Sequence, residues 1–173
     1  MKLNKNILLP VIAMMFFLSQ QAMAQHQKHG LTWYTDITQV YEISKKTNKP
    51  VFAFFTGSDW CGWCHKLEKA VFVKPGFQAW AKKNVVLLEL DFPRKKKLPD
   101  ALMQQNAGLQ QFFNVQGYPI IWMFNMEKDK DNGKFNITPL GSFGYPRSEP
   151  GKEEVTFLKT ANDVLNNKNK QQG

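Results

Sequence analysis

Cys61 and Cys64 are the only two cysteines in the 173-residue chain, and they lie three residues apart. A disulfide that closes so short a loop constrains the unfolded chain little, so this pair is poorly placed to be a structural staple. Residues i and i+3 of a helix share one face, and the two thiols can therefore form a disulfide with little movement of the backbone. The spacing indicates redox chemistry.

The position of Cys61 at the start of a predicted helix favours reactivity. The unpaired N–H groups and the positive dipole end of a helix stabilise a thiolate, and thiol pKa values of about 3.5 to 7.5 are typical of such sites. We predict that Cys61 attacks a partner's disulfide and that Cys64 resolves the mixed disulfide. Gly62 leaves room for a partner chain, and Trp60 and Trp63 offer apolar surface for substrate binding, with core packing as their alternative role.

The elements around this motif alternate between strands and helices. Val51 to Phe55 is a continuous apolar run, typical of a central strand buried on both faces, and a helix is expected from Cys61 to about Phe72. Lys74-Pro75-Gly76 should end that helix. Other strands are predicted at 31–34, 85–90, 120–124 and 135–140, and other helices at 37–48, 77–83, 99–113 and 153–166. This order predicts an α/β fold with parallel strand pairing and one returning antiparallel strand.

The segment Trp60-Cys61-Gly62-Trp63-Cys64, followed by Gly117-Tyr118-Pro119 at the start of a later strand, resembles the thioredoxin family and especially its exported single-domain members. The resemblance covers roughly Trp33 to Leu165. It implies a three-layer sandwich with a central mixed β-sheet and helices on both faces. It also implies a thiol-disulfide oxidoreductase without a bound cofactor. In that family the residue matching Pro119 forms a cis peptide beside the disulfide, and the residue matching Tyr118 presents backbone to the substrate.

Two departures from the family pattern concern the chemistry of the cysteines. Thioredoxins proper have Gly-Pro between the cysteines, where this chain has Gly62-Trp63, and this dipeptide shifts the reduction potential within the family. They also bury an aspartate on the strand before the motif, where this chain has Phe54-Phe55. The proton relay of the second cysteine is therefore expected to be absent or rebuilt. Glu68, four residues after Cys64, is one candidate to rebuild it, and a solvated glutamate is the alternative.

His65 keeps two other functions open. Cys61-Gly62-Trp63-Cys64-His65 also matches the attachment signal for c-type haem, although the apolar strand before it is not expected in a mostly helical cytochrome. A metallochaperone that binds a metal through the two thiols is the other alternative. Such sites normally need a third ligand, and His65 should point away from the face shared by the cysteines.

The amino terminus has the features of a cleaved signal peptide. Lys2 and Lys5 precede an apolar run from Ile7 to Leu18, and Ala22-Met23-Ala24 provides the small residues of a cleavage site. The run is shorter than the ~20 residues that span a bilayer, so we expect no stable membrane insertion after cleavage. Residues 1–24 are predicted to be a signal peptide and 25–173 one thioredoxin-like domain, with its core at about 31–166, that is secreted or periplasmic.

The chain carries a formal net charge of +9, and its densest basic run is Arg94-Lys95-Lys96-Lys97. No aromatic residue interleaves with this run, so a solvated loop is expected and nucleic acid is not an expected partner. No metal site is expected, and His26 and His29, on a loose terminus, are given no role. The expected partners are exported proteins with disulfides and, since no second domain can recharge the cysteines, an external redox partner. A reductase is favoured over an oxidase.

Overall fold

The fold is built on one six-stranded mixed sheet. The computed structural model of the protein describes residues 25–171, so the predicted signal peptide at 1–24 lies outside the described residues. The spatial order of the strands is β1-β2-β4-β3-β5-β6. In chain order they are β1 Gln25–Lys28, β2 Leu31–Tyr34, β3 Val51–Thr56, β4 Val86–Asp91, β5 Ile120–Lys128 and β6 Phe135–Gly144.

Helices cover both faces of this sheet, as the sequence predicts. Their bounds are α1 Ile37–Thr47, α2 Gly62–Leu67, α3 Pro75–Asn84, α4 Asp100–Phe112 and α5 Glu153–Gln171, and a π-helical segment, Glu68–Phe72, directly continues α2. Side chains from α1 and α4 enter the core on one face, whereas α2, the π-helical segment, α3 and α5 contribute to the core on the other face. Within residues 25–171, no helix is long and apolar enough to cross a membrane.

β3 is the central strand, and its position places the cysteine motif at the end of the sheet. It pairs in parallel with β4 and antiparallel with β5, and all six of its residues are buried. Successive side chains of a strand point to opposite faces. Phe54 accordingly lies in the core that contains Cys61 and Cys64, and Phe55 lies in the core on the other face.

Local sequence signals account for several element boundaries. Asp36 caps α1, because its carboxylate accepts hydrogen bonds from the backbone N–H groups of Thr38 and Gln39. The turn at Asp131-Asn132-Gly133 connects β5 to β6, and Gly133 adopts a φ of 69°, which favours glycine.

Three sequence-based predictions of structure need correction. Residues 25–28 are not a loose terminus, because they form β1 and pair antiparallel with β2. α3 begins at Pro75 instead of Phe77, since a proline at the first helical position loses no intrahelical hydrogen bond. α5 continues to Gln171, beyond the predicted end at about Asn166.

Candidate active site

Cys61 and Cys64 form a disulfide at the start of α2. Cys61 is the N-cap residue of the helix, and its Sγ accepts a hydrogen bond of 3.2 Å from the backbone N–H of Cys64. Cys61 retains 5% of its surface and Cys64 retains none. Of the two sulfur-bearing residues, only Cys61 therefore offers surface to another molecule.

The loop before Cys61 is held by the end of β4. Asp91 is buried and accepts hydrogen bonds from the Ser58 backbone N–H at 2.8 Å and from the Ser58 hydroxyl at 2.7 Å. The Gly57 carbonyl accepts hydrogen bonds from the backbone N–H groups of Trp60 and Cys61. These contacts fix the chain on the approach to the disulfide, so the first cysteine is presented by an ordered turn.

Trp60 connects this turn to the segment that contains Tyr118 and Pro119. Its ring is edge-on to Tyr118, with 5.7 Å between ring centroids, and its Nε1 donates a hydrogen bond to the Phe92 carbonyl oxygen at 2.8 Å. The Tyr118–Pro119 peptide is cis, as the family resemblance implies. The structure thus brings Trp60 and the Tyr118–Pro119 segment together. Trp60 is half-buried, so it packs against its neighbours and also leaves part of its surface exposed.

Trp63, between the two cysteines, is 57% exposed. Its ring meets Tyr145, the residue that follows β6, at 5.2 Å between centroids. The Lys66 Nζ lies 4.6 Å from the Trp63 centroid and 5.3 Å from that of Tyr145. Core packing is therefore not the role of Trp63. Gly62 is exposed, and a Cβ at this position would meet open space.

On β3, Phe54 faces the core of the two cysteines, so this position contributes no carboxylate there. It is fully buried, and it contacts Trp33 and Phe72 at 5.9 and 5.1 Å between ring centroids. Glu68 is also buried, so it is not the solvated glutamate of the alternative interpretation. Its carboxylate accepts a hydrogen bond of 2.7 Å from Lys28. Glu68, the candidate proton relay, is therefore already paired with Lys28.

Lys28 connects two buried carboxylates across three elements. Besides Glu68 it donates to Glu89 on β4 at 3.2 Å, and His26 and His29 lie 3.5 and 3.4 Å from Glu89 and Glu68 respectively. Burial raises the pKa of Glu89, but the hydrogen bond with His26 and the charge of Lys28 outweigh it and hold this pKa below its usual range. We call Lys28, Glu68 and Glu89 the buried ion triad.

The same triad raises the pKa of Lys28. Burial lowers this pKa, but the charges of Glu89 and Glu68 and their hydrogen bonds outweigh the effect of burial. Lys28 is therefore the charged counterpart of both carboxylates. His26 and His29, to which the sequence assigned no role, are the histidines that face this triad.

His65 does not supply the third ligand that a metal site on the two cysteines would need. Its ring is exposed, and Nε2 donates to the Ser58 carbonyl oxygen at 2.9 Å. Among residues 25–171, no group of three or more His, Cys, Asp or Glu side chains is arranged to hold a metal ion. The mixed sheet around the motif is also unlike the mostly helical fold expected of a c-type cytochrome of this size.

The fold and the site together define a thiol-disulfide oxidoreductase: a cysteine pair closes a disulfide at a helix start after a central strand, and the Trp60 ring next to it contacts Tyr118, the residue before the cis proline. The family model described as thioredoxin-like matches residues 32–125, more than half of the chain. The protein belongs to the thioredoxin-like family.

Two relatives of this chain carry Dsb names. The disulfide bond reductase DsbH of Chlamydia pneumoniae is 33% identical over 116 residues, which are 67% of this chain and 69% of the relative. The thioredoxin-related protein DsbJ of the same organism is 26% identical over 124 residues, 72% of this chain but only 34% of the relative.

Solved structures support the same fold. A structure of a DsbH oxidoreductase superposes with a TM-score of 0.64 at 27% identity, covering 88% of this chain and 98% of the other. A thioredoxin from Thermus thermophilus superposes with a TM-score of 0.52 at 15% identity over 77% of this chain and 85% of the other, a likeness of fold alone.

Sequence reasoning missed several residues that surround the disulfide. Asp59 accepts hydrogen bonds from the backbone N–H groups of residues 94–96, and these bonds lower its pKa against the opposing effect of burial. The loop that was expected to be merely solvated is thereby tied to the motif, and the Arg94 guanidinium lies 3.7 Å from the Trp60 centroid. Only the basic character of this loop was visible in the sequence.

Proposed function

We propose that this protein reduces disulfide bonds in exported proteins, with Cys61 as the attacking cysteine and Cys64 as the resolving one. The observation that carries this proposal is the difference in access between the two residues: Cys61, at the helix start, retains 5% of its surface and Cys64 retains none. A partner's disulfide can approach the first but not the second.

The reaction starts from the reduced cysteine pair. The Cys61 thiolate attacks one sulfur of the client disulfide, a mixed disulfide forms, and the other client sulfur leaves as a thiolate that takes up a proton. Cys64 then loses its proton and attacks the Cys61 sulfur, which releases the second client thiol and restores the Cys61–Cys64 disulfide. Two electrons pass to the client, and a dithiol protein must supply two electrons to reduce the pair again.

The helix start supports the role of Cys61. The Cys64 N–H that points at the Cys61 Sγ in the disulfide form would also donate to a thiolate at this position, and hydrogen bonds to a charged form lower the pKa of its acid. Trp60, Gly62 and Trp63 are neighbours of the two cysteines in the chain, and Tyr118 contacts Trp60. These residues and Pro119 are proposed to contact the client chain.

Reduction, as opposed to oxidation, is supported by the relative named as a disulfide bond reductase, which is 33% identical to this chain. Export is supported by the signal-peptide features of residues 1–24. We therefore propose that residues 25–173 act as one secreted or periplasmic domain on disulfides of other exported proteins, and contribute there to thiol redox homeostasis.

The reduction potential of the Cys61 and Cys64 pair tests the direction. The protein is equilibrated with glutathione buffers of graded ratio, and the state of the pair is followed by the fluorescence of the nearby tryptophans. We expect a value near the reducing end of the range of roughly −270 to −120 mV spanned by related enzymes. A value near the oxidising end contradicts the proposed reductase, and a Cys61→Ser variant should show no transition at all.

A further inference from the structure

Two cations lie on the aromatic rings that flank the disulfide, one on each side. On one side the Lys66 Nζ lies over both Trp63 and Tyr145, at 4.6 and 5.3 Å from their centroids. On the other side the Arg94 Cζ lies 3.7 Å from the Trp60 centroid. An ammonium or guanidinium group over an aromatic face is attracted by the ring and is held in position there. Both charges therefore lie on tryptophan rings of the Trp60-Cys61-Gly62-Trp63-Cys64 motif.

Neither cation has an acidic partner among the side chains that the structure describes. Lys96 and Lys97, in the same loop as Arg94, pair with Asp91 at 3.0 Å and with Asp100 at 3.2 Å. Within the described part of the chain, no carboxylate lies at ion-pair distance from Lys66 or Arg94. These two charges remain available to a bound molecule.

The carboxylates closest to this face do not cancel its charge. Asp59 keeps its negative charge while it accepts hydrogen bonds from backbone N–H groups of residues 94–96, but Arg94 and Lys95 in the same segment outnumber it. Glu153 is the one carboxylate-bearing residue of the groove beside α2, and it faces two lysines there, Lys66 and Lys69. The groove and the Arg94 side are each left with an excess of positive charge.

The groove also begins at the residue that follows Cys61. Gly62, Lys66, Ala70 and Tyr145 line it, and the open space at Gly62 brings it directly beside Cys61. The exposed Trp63 ring forms an apolar rim. A polypeptide that places its cysteine at Cys61 would lie across this groove on one side and reach Arg94 on the other.

We propose that this face selects client segments in which aspartate or glutamate flanks the disulfide-bonded cysteine. Client carboxylates pair with Lys66 and Arg94, and the neighbouring client side chains lie on Trp63 and Tyr145. Complementary charge across an interface directs encounter and orientation, and the planar guanidinium of Arg94 suits a carboxylate well. This inference rests on the proposed function and names its substrate class.

Three disulfide peptides of otherwise identical sequence test the inference. Aspartate, serine or lysine flanks the cysteine on both sides, and the pre-reduced protein reacts with each in single turnover, so that no electron donor is needed. At low salt we expect the aspartate peptide to react about 2- to 5-fold faster than the serine peptide for each ion pair formed, and the lysine peptide to react slowest. The differences should shrink at about 0.5 M salt because exposed charges are screened.

Two charge-removing variants and a matched control locate the effect. K66Q and R94Q should each lower the preference for the aspartate peptide over the serine peptide. K46Q, which removes another exposed lysine, on α1, should keep the wild-type preference. If K46Q lowers it as much as K66Q does, net charge alone causes the preference and the inference is wrong.

The same peptides separate this inference from the proposed function. If the wild-type protein reduces none of the three, the proposed function itself fails. If it reduces all three at equal rates at low salt, the reductase stands and the selection of acidic clients is refuted.

Discussion

Removal of Lys28 should destabilise the fold at neutral pH by leaving two buried carboxylates without their cation. Glu68 and Glu89 each retain 8% of their surface, and Lys28 donates to them at 2.7 and 3.2 Å. Breaking a buried pair by removing one partner costs ~3–5 kcal/mol. Because the Lys28 side chain is 24% exposed, we expect the lower end for Lys28→Met, about 3 kcal/mol. For a domain of this size that lowers Tm by about 6–12 °C.

The pH dependence identifies the cause of this loss. In the wild type the pKa of Glu89 is lowered, so its contribution to stability is present above its unfolded-state pKa and is lost as the pH falls through the folded-state value. Without Lys28, its charge would no longer offset the burial of Glu89, so the pKa of Glu89 would rise and part of the penalty would disappear as Glu89 takes up a proton. The stability gap between K28M and wild type should therefore narrow from pH 7 to about pH 4.5.

Urea unfolding at both pH values measures the gap. His26 and His29 also face these carboxylates, so the measurement is repeated with Glu68→Gln and Glu89→Gln added to K28M, which should recover part of the stability at pH 7. K46M, at an exposed helical lysine, is the control and should unfold like the wild type. A K28M variant as stable as the wild type at pH 7, or a gap that does not change with pH, would refute this reasoning.

Two further substitutions probe the surroundings of the disulfide. Phe54→Asp should lower the free energy of unfolding by ~3–5 kcal/mol without speeding disulfide reduction. The reason is that it places a carboxyl in the aromatic core, opposite Glu89 in the strand register. Unchanged urea unfolding with a faster reduction rate would contradict this. Gly57→Ala should lower stability by ~1–3 kcal/mol and slow reduction, because its Cβ would overlap the Trp60 ring. An unaltered Tm and reduction rate would contradict this.

The sequence was sufficient for the parts of the molecule that local patterns determine. The apolar run Val51–Phe55 predicted the central strand, because a strand buried on both faces has no polar alternation. The cysteine spacing predicted the disulfide, and the family resemblance predicted the cis peptide before Pro119. Each of these features lies within a short segment of chain.

The features that sequence reasoning missed depend on contacts between distant segments. Lys28 is 40 residues from Glu68 and 61 from Glu89, and only the pairing of β1 with β2 brings it between them. The four polar residues of β1 show no apolar alternation that would have indicated a strand. Tyr145, which follows β6, and Arg94, in the loop after β4, likewise reach the cysteine motif from distant segments, so neither could be assigned to the site from its own neighbours in sequence.

The roles of the two cysteines are tested most directly by mixed-disulfide formation with a defined disulfide peptide. Cys64→Ser removes the resolving thiol and leaves Cys61, so this variant should accumulate a covalent peptide adduct that intact-protein mass spectrometry detects. Cys61→Ser, the matched control, retains only the fully buried Cys64 and should form little adduct. Equal adduct formation by the two variants would contradict the assignment of Cys61 as the attacking cysteine.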